Sequence, residues 1–322
     1  KGNTSHLNYG VAVDIGTTTV VVSLIDLNTG EELDTEADIN AQKNYGQDVL
    51  TRISYVQDHG EIGIRNLQKA IVSSLNQMVK TICERQGIAK EQIYEMAVAA
   101  NCTMMHMLLG VEPLSIGKAP YAPIFVEAKN IPAQAIGLNC LSPFARLNLL
   151  PSVSSYIGAD IVAGAYVANL HKTKDRVLFI DIGTNGEIVL SDRGHMLSCS
   201  CAAGPALEGM NISCGMRAAD GAIEDIHITE NGIDLEIIGS TKPLGLCGSG
   251  ILAAIRELLE HQFINHKGNL IKPDDLPETD WRYPYIEVEN NKRSIRLNKG
   301  KKKIAITQGD IRHVQLAKSA IL

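Results

Sequence analysis

The sequence has 322 residues, 45% of them hydrophobic and 20% charged, which suffices for a core in each of about two domains and excludes a disordered or fibrous chain. Against 36 Asp and Glu stand 30 Lys and Arg, a formal charge of −6, so no general basic field exists to hold a nucleic-acid backbone or an anionic membrane. No apolar run reaches the roughly 20 residues that span a bilayer, and Lys1–Gly10 lacks the charged-then-apolar pattern of a secretory leader. A cytoplasmic protein is expected.

In chain order, Tyr9–Asp14 and Val20–Asp26 read as strands joined by the tight turn Ile15-Gly-Thr-Thr-Thr19, with Asn28-Thr-Gly30 as the next turn. Leu67, Ile71, Leu75, Met78 and Ile82 recur at spacings of three and four before Gly87, which predicts an amphipathic helix with a left-handed cap. Met96–Ala100 reads as a strand and Thr103–Leu109 as a helix closed by Gly110, on which His106 is expected to be packed rather than catalytic. The stretch from Val111 to Pro151 holds six of the eleven prolines and is read as the passage between two domains, residues 1–150 and 151–322.

The second domain opens with a helix over Ala159–Leu170 behind Asp160. Asp48 and Asp160 both read as helix N-caps. Val177–Asp181, Ile182-Gly-Thr-Asn185 and Gly186–Leu190 then repeat the opening pattern of strand, Asp-Ile-Gly-Thr, strand, which suggests two related halves. Ser198–Gly209 and Gly215–Glu224 are dense in Gly and Ala with isolated charges, as suits a loop lining a cleft. Leu244–Gly250 follows the strand-like Ile233–Ile238 and opens a helix from Ile251 to His261. The basic run Lys299–Lys303 sits between two strand-like segments, as a solvated hairpin tip would.

A Gly- and Thr-bearing turn gathers backbone N–H groups and hydroxyls toward one point, a concavity suited to phosphate oxygens. Gly16, Thr17 and Thr18 form one such turn and Gly183, Thr184 and Asn185 the other. The strand-ending carboxylates Asp14 and Asp181 would lie beside those phosphates, where magnesium, acting through its waters, is the expected mediator. One copy alone reads as a plain hairpin, but two at matching positions point to phosphate binding. Gly248, Ser249 and Gly250 begin a helix, either to expose free N–H groups to an anion or to allow close helix–strand packing. Their spacing is neither G-x-G-x-x-G nor a P-loop, so those two chemistries are unsupported. Glu208 reads either as a carboxylate ordering a water or nucleotide hydroxyls, or as a helix-surface residue. Seven scattered cysteines with no C-x-x-C pair suggest neither a disulfide framework nor a zinc site, and most read as small buried apolar residues.

Assembled, these residues resemble the acetate and sugar kinase, heat-shock chaperone and actin (ASKHA) superfamily, with Val11–Asp26 like its first phosphate motif and Val177–Leu190 like its second. Within it the sequence is similar to the reductive activators of corrinoid proteins. The matching words are Val13–Thr19, Asn40–Val49, Asn101–His106, Cys201–Gly209, Gly215–Arg217, Gly221–Glu224, Leu246–Gly250 and Asp310–Arg312. The resemblance implies an α/β fold of two actin-like (ribonuclease H-like) domains, with mixed sheets flanked by helices around a nucleotide cleft.

The activity it implies is an ATPase that drives a Co(II) corrinoid protein to Co(I) for methyl transfer. The site it implies has Asp14, Asp181 and Glu208 catalytic, Asp14 and Asp181 on Mg, and Gly16, Thr17, Thr18, Gly183, Thr184, Asn185, Gly204, Gly248, Ser249 and Gly250 around ATP. The expected partners are a corrinoid protein of a methyltransferase system and ATP or ADP, with no nucleic acid and no membrane; a homodimer is left open. The partner contact is expected near Ala202–Arg217. Against the family's pattern, the N-terminal ferredoxin-like domain with its [2Fe-2S] cluster and the C-terminal glycine-rich adenosine motif are expected to be missing from this sequence. The alternatives of the same fold are a small-molecule kinase, a nucleotide sensor without turnover, and an acyl-CoA dehydratase-type activator with an intersubunit [4Fe-4S] cluster. For the last, Cys201-Ala-Ala-Gly is similar to the cluster loop, and Cys214 and Cys247 are candidate further ligands.

Overall fold

The computed structural model describes residues 7–239 and 242–322; the leader-pattern reading of Lys1–Gly10 falls mostly outside them. The chain divides into two compact units. One runs to Phe179 and takes back Ile188–Cys199; the other comprises Ile180–Glu187 and Ser200–Leu322.

In the first unit, alternation of buried and open residues makes strands β1 (Tyr9–Ile15) and β2 (Thr19–Asp26), followed by β3 (Glu32–Ile39), β4 (Ile93–Ala100), β5 (Lys129–Pro132) and β6 (Arg146–Leu149). They form one mixed sheet in the order β3-β2-β1-β4-β6-β5. β1 runs antiparallel to β2 and parallel to β4, which places the Gly16–Thr18 turn at one sheet end. The proline-rich stretch read as a passage therefore contains two strands of this sheet. They are short, and one ends in proline, so the alternation that reveals a strand has no room to show.

The expected amphipathic helix is longer than its stripe suggested. The helical run α1 (Val49–Gln86) breaks at Gly60 (φ 56°, ψ −135°) and ends on Gly87 at φ 66°. Asp48 caps it as expected: its carboxylate accepts from the Thr51 amide at 2.8 Å, and the Asp48 amide donates to the Thr51 hydroxyl at 3.1 Å. Leu67, Ile71, Leu75, Val79 and Ile82 are buried with Val13, Ile15, Val20, Val22 and Leu24 of the sheet. At the far end, Arg85 clamps Asp34 (2.8 Å) and Glu36 (2.6 Å) of β3, and its guanidinium holds the Asp34 carboxyl down at about 2.

Helix α2 (Cys102–Leu109) is buried almost throughout. His106 on it is packed, as expected. Its Nδ1 bonds the Cys102 carbonyl at 2.8 Å, its Nε2 accepts the Ile124 amide at 3.1 Å, and the ring stacks on Phe125. Burial pushes its pKa below the ordinary value. The next helix, α3 (Ala159–Val167), is capped by Gly158 rather than Asp160. Asp160 lies inside the first turn, where a carboxylate suits the positive helix end.

Strands β7 (Arg176–Ile182), β8 (Gly186–Asp192) and β9 (His195–Cys201) form a three-stranded sheet in that order. Ser198–Cys201 is thus strand, where a loop was expected. In the second unit, β10 (Ala222–Thr229) pairs antiparallel with β11 (Gly232–Ile237) and parallel with β12 (Gly245–Leu246). Helix α4 (Gly248–Glu260) follows. A meander of β13 (Ile286–Glu289), β14 (Lys292–Arg296) and β15 (Ala305–Thr307) leads to α5 (Gln308–Ile321). The basic run is the β14–β15 connection, with Lys303 paired to Glu287 and Glu289. Asp310 at the start of α5 is 1% exposed, yet accepts from the amides of Ser213 (2.7 Å) and Thr307 (2.8 Å), which offsets the cost of burying it. Among the described residues, no helix is long and apolar enough to cross a membrane.

Replacing Asp48 by Ala should lower unfolding free energy by about 1 kcal/mol in a urea titration, the usual cost of a lost N-cap. The His106 geometry fixes a pH dependence. Its folded-state pKa is depressed, so the unfolded chain binds the proton more tightly. Stability is then complete above about pH 6.5 and falls as pH drops below it, by at most about 1.4 kcal/mol per pH unit. A His106→Gln variant should show a flatter urea-midpoint profile between pH 5 and about 6.5.

Candidate functional site

The sequence-named residues of the first unit meet at the β1–β2 turn. Asp14 is exposed near the end of β1, and Thr17 is buried in the turn. Behind the turn lie residues not named as site residues. The Asn40 side chain donates to the Gly16 carbonyl at 2.8 Å, and the Asn40 amide to the Thr18 carbonyl at 2.9 Å. Asn101 caps α2 by accepting the Met104 amide at 2.9 Å, and its NH₂ donates to the Thr17 hydroxyl at 3.1 Å. Arg52, fully buried, donates to the carbonyls of Thr17 (2.5 Å) and Gly46 (2.9 Å), to Gln42 Oε1 (3.3 Å) and to Met104 Sδ (3.2 Å). Gln42 is held in turn by donating to the Leu67 carbonyl at 3.0 Å. Desolvation pushes the Arg52 pKa down to about 10, so it remains a cation at neutral pH. Asn40 and Asn101 stand in the words that carried the family resemblance, but Arg52 does not. Its one signal was a charged residue beside Ile53 and Val56 on the buried helical stripe.

The second turn, in the second unit, gathers another group. Gly183 donates its amide to the Asn185 carbonyl at 3.0 Å, and the Gly204 amide donates to the Thr184 carbonyl at 2.8 Å. The Thr184 hydroxyl donates to Glu208 Oε1 at 2.5 Å. Glu208 is therefore directed to the turn by the 3₁₀ turn Pro205–Glu208. Asp181 is exposed on β7. The start of α4 lies against this group: a Cβ on Gly248 would stand 2.0 Å from the Leu207 carbonyl, and one on Gly250 2.0 Å from the Ile223 carbonyl. Close packing thus requires both glycines. Cys247, the N-cap, makes no side-chain cap hydrogen bond, and Ser249 is exposed. Chemically, each turn offers amides and hydroxyls next to a carboxylate, an arrangement suited to an anion with its cation.

The cysteines weighed as cluster ligands are engaged separately. Cys201 Sγ donates to the Gly186 carbonyl at 3.2 Å, Cys247 Sγ to that of Ile223 at 3.3 Å, and Cys214 Sγ to that of Lys303 at 3.8 Å. A cavity of about 620 Å³ in the second unit, lined by Asn265, His266, Asn269 and Lys272 among others, contains none of the sequence-named residues.

Two family models match the chain one after the other: one described as the RACo middle region over residues 9–173, the other as the C-terminal ASKHA domain of RACo over residues 175–322. Corrinoid activation enzyme RamQ of Eubacterium limosum is 36% identical over 318 residues, 97% of this chain and 53% of that protein. A reductase of the Co(II) methylated amine-specific corrinoid protein from Methanosarcina barkeri is 27% identical over 227 residues, 68% of this chain and 40% of that one. The solved structure of a reductive activator for corrinoid, iron-sulfur protein aligns at 36% identity with a TM-score of 0.90, covering 100% of this chain and 51% of its own. The chain thus spans about half the length of these relatives.

Replacing Gly250 by Ala forces a Cβ into the Ile223 carbonyl, and overpacking of this kind costs about 1–3 kcal/mol. Thermal melting should report the loss, while Ser249→Ala, at an exposed position, should melt within error of the parent.

Proposed function

The chain belongs to the RACo family, and from that premise we propose that it is the ATP-binding and ATP-hydrolysing part of a reductive activator that drives a Co(II) corrinoid protein to Co(I). The observation that carries this reading is the doubled Asp-Ile-Gly-Thr turn, each copy following a strand with an exposed carboxylate near its end. The relatives' descriptions favour corrinoid activation over a kinase or an acyl-CoA dehydratase-type activator. The three cysteine thiols, each engaged with a different backbone carbonyl, add no support for the last.

In this reading Thr17, Thr18, Thr184 and Asn185 bind phosphate oxygens, with Gly16 and Gly183 allowing close approach. Gly204, Gly248, Ser249 and Gly250 border the nucleotide. Asp14 and Asp181 hold magnesium through its waters, and that ion supplies the positive charge that phosphoryl chemistry needs. Glu208, which accepts from the Thr184 hydroxyl, would order the attacking water. The corrinoid protein docks near Ala202–Arg217, and the electron comes from an iron–sulfur donor outside these residues. Reduction of a Co(II) corrinoid is uphill for ordinary donors, so the drive must come from different affinities of the nucleotide states for the partner's redox states.

In the full-length protein, Asp181→Ala should lower ATP hydrolysis and Co(I) formation together by about 100-fold or more, the scale of losing one group that stabilises transition-state charge. Phosphate release and the corrinoid absorption spectrum are the measurements. Undiminished hydrolysis with undiminished Co(I) would sink the reading, as would transfer of phosphate to a small-molecule acceptor in place of release.

A further inference from the structure

The first phosphate turn owes its shape to what stands behind it. In a trans peptide, the carbonyl of one residue and the amide of the next point in opposite directions. Three successive carbonyls, of Gly16, Thr17 and Thr18, are received by the Asn40 side chain (2.8 Å), Arg52 (2.5 Å) and the Asn40 amide (2.9 Å). Asn40 and Arg52 are both fully buried, so these carbonyls face the interior. The amides of Thr17 and Thr18 are thereby turned away from it.

The identity of the receiving groups also matters. All the hydrogen-bond partners of Arg52 are neutral: two carbonyls, an amide oxygen and a thioether. The carboxylate that acts on its charge is Asp48, at the N-cap of the same helix. A buried cation hydrogen-bonded to dipoles, with the Asp48 carboxylate as its coulombic counter-charge, sets positive charge in a poorly screened interior, immediately behind the turn. An anion bound on the other side of Thr17 would feel it. Burying a guanidinium is costly, and a neutral side chain could fill the space.

We propose that Asn40 and Arg52 are positioning residues for the phosphate turn, aiming the amides of Thr17 and Thr18 at a nucleotide phosphate while the Arg52 charge adds attraction from behind. This rests on the nucleotide reading above and names the residues that make its first turn competent. Neither side chain touches the ligand. Their effect passes through the peptide planes of residues 16–18.

The test uses the full-length protein and its Arg52→Gln, Arg52→Lys and Asn40→Ser variants, with MgATP as the probe. Calorimetry gives affinity, thermal melting gives stability, and residue-resolved hydrogen exchange follows the Thr17 and Thr18 amides with and without MgATP. The expected results are that MgATP slows exchange at both amides in the parent, and that Arg52→Gln loses about tenfold or more in affinity together with that protection, as befits a lost charge-assisted bond. Arg52→Lys, which keeps the charge, should recover part of both. Should Arg52→Gln fail to fold, Asn40→Ser carries the comparison, with the same loss expected. If the parent binds MgATP without slowing at Thr17 and Thr18, or the variants match its affinity and protection, this proposal alone falls. If the parent does not bind MgATP, the nucleotide reading falls and takes this one with it.

Discussion

The buried Arg52 guanidinium is the interaction on which the first unit's site depends. It is one side chain touching four separate parts of the fold: the Gly16–Thr18 turn, the Ala41–Asn44 turn through Gln42, the Gly46 carbonyl and Met104 of α2. A planar fork of donors can do this in a way that a point charge on a flexible stem cannot, because its directions are fixed relative to one another. The helix that carries Arg52 is itself registered by the Asp48 capping box and by a long apolar stripe against the sheet. The packing energy of the core is thereby converted into the position of a few carbonyl oxygens.

The two turns share a sequence but not a setting. Behind the first stand a cation and two asparagines; beside the second stands a carboxylate, Glu208, accepting from the Thr184 hydroxyl. A cation behind a turn favours a bound anion directly, whereas a carboxylate beside one favours an anion only together with its cation. The repeat in sequence therefore does not imply a repeat in role. On the proposed reading the first turn binds phosphate with a cation behind it, while at the second Thr184 and Asn185 receive phosphate oxygens and Glu208 orders the attacking water.

The strands of both turns were legible in the sequence as short apolar runs ending at Asp-Ile-Gly-Thr, and the helix ends at Gly87 and Gly110 because glycine there marks a left-handed cap. Glu208 and Gly204 could be named from their glycine-rich surroundings. Arg52 could not, since an arginine four positions after a helix cap reads as a solvated charge, and only the folded chain brings the Thr17 and Gly46 carbonyls to it. The break at Gly60 was equally hidden: the apolar stripe resumes at Gly63 and Ile64, so periodicity on either side reveals nothing of the interruption. Asp160 misled for a local reason. It stands two residues after Gly158, and the cap belongs to whichever residue leaves helical geometry first.

A preorganised turn matters more for the proposed activity than for simple binding. Coupling nucleotide to an uphill electron transfer requires that the nucleotide states differ in free energy at the protein, not that either binds tightly. A turn that had to be ordered by its ligand would spend part of the phosphate's interaction energy on that ordering, and would spend it for either nucleotide. With the carbonyls of residues 16–18 already held from behind, the proposed site would express the gain or loss of one phosphate group as contacts made or broken at Thr17 and Thr18. Differential affinity is then available for work elsewhere in the protein. The buried arginine lowers the stability the same volume could have with an apolar side chain, and a site that, as proposed, discriminates between nucleotide states is where such a loss is physically reasonable.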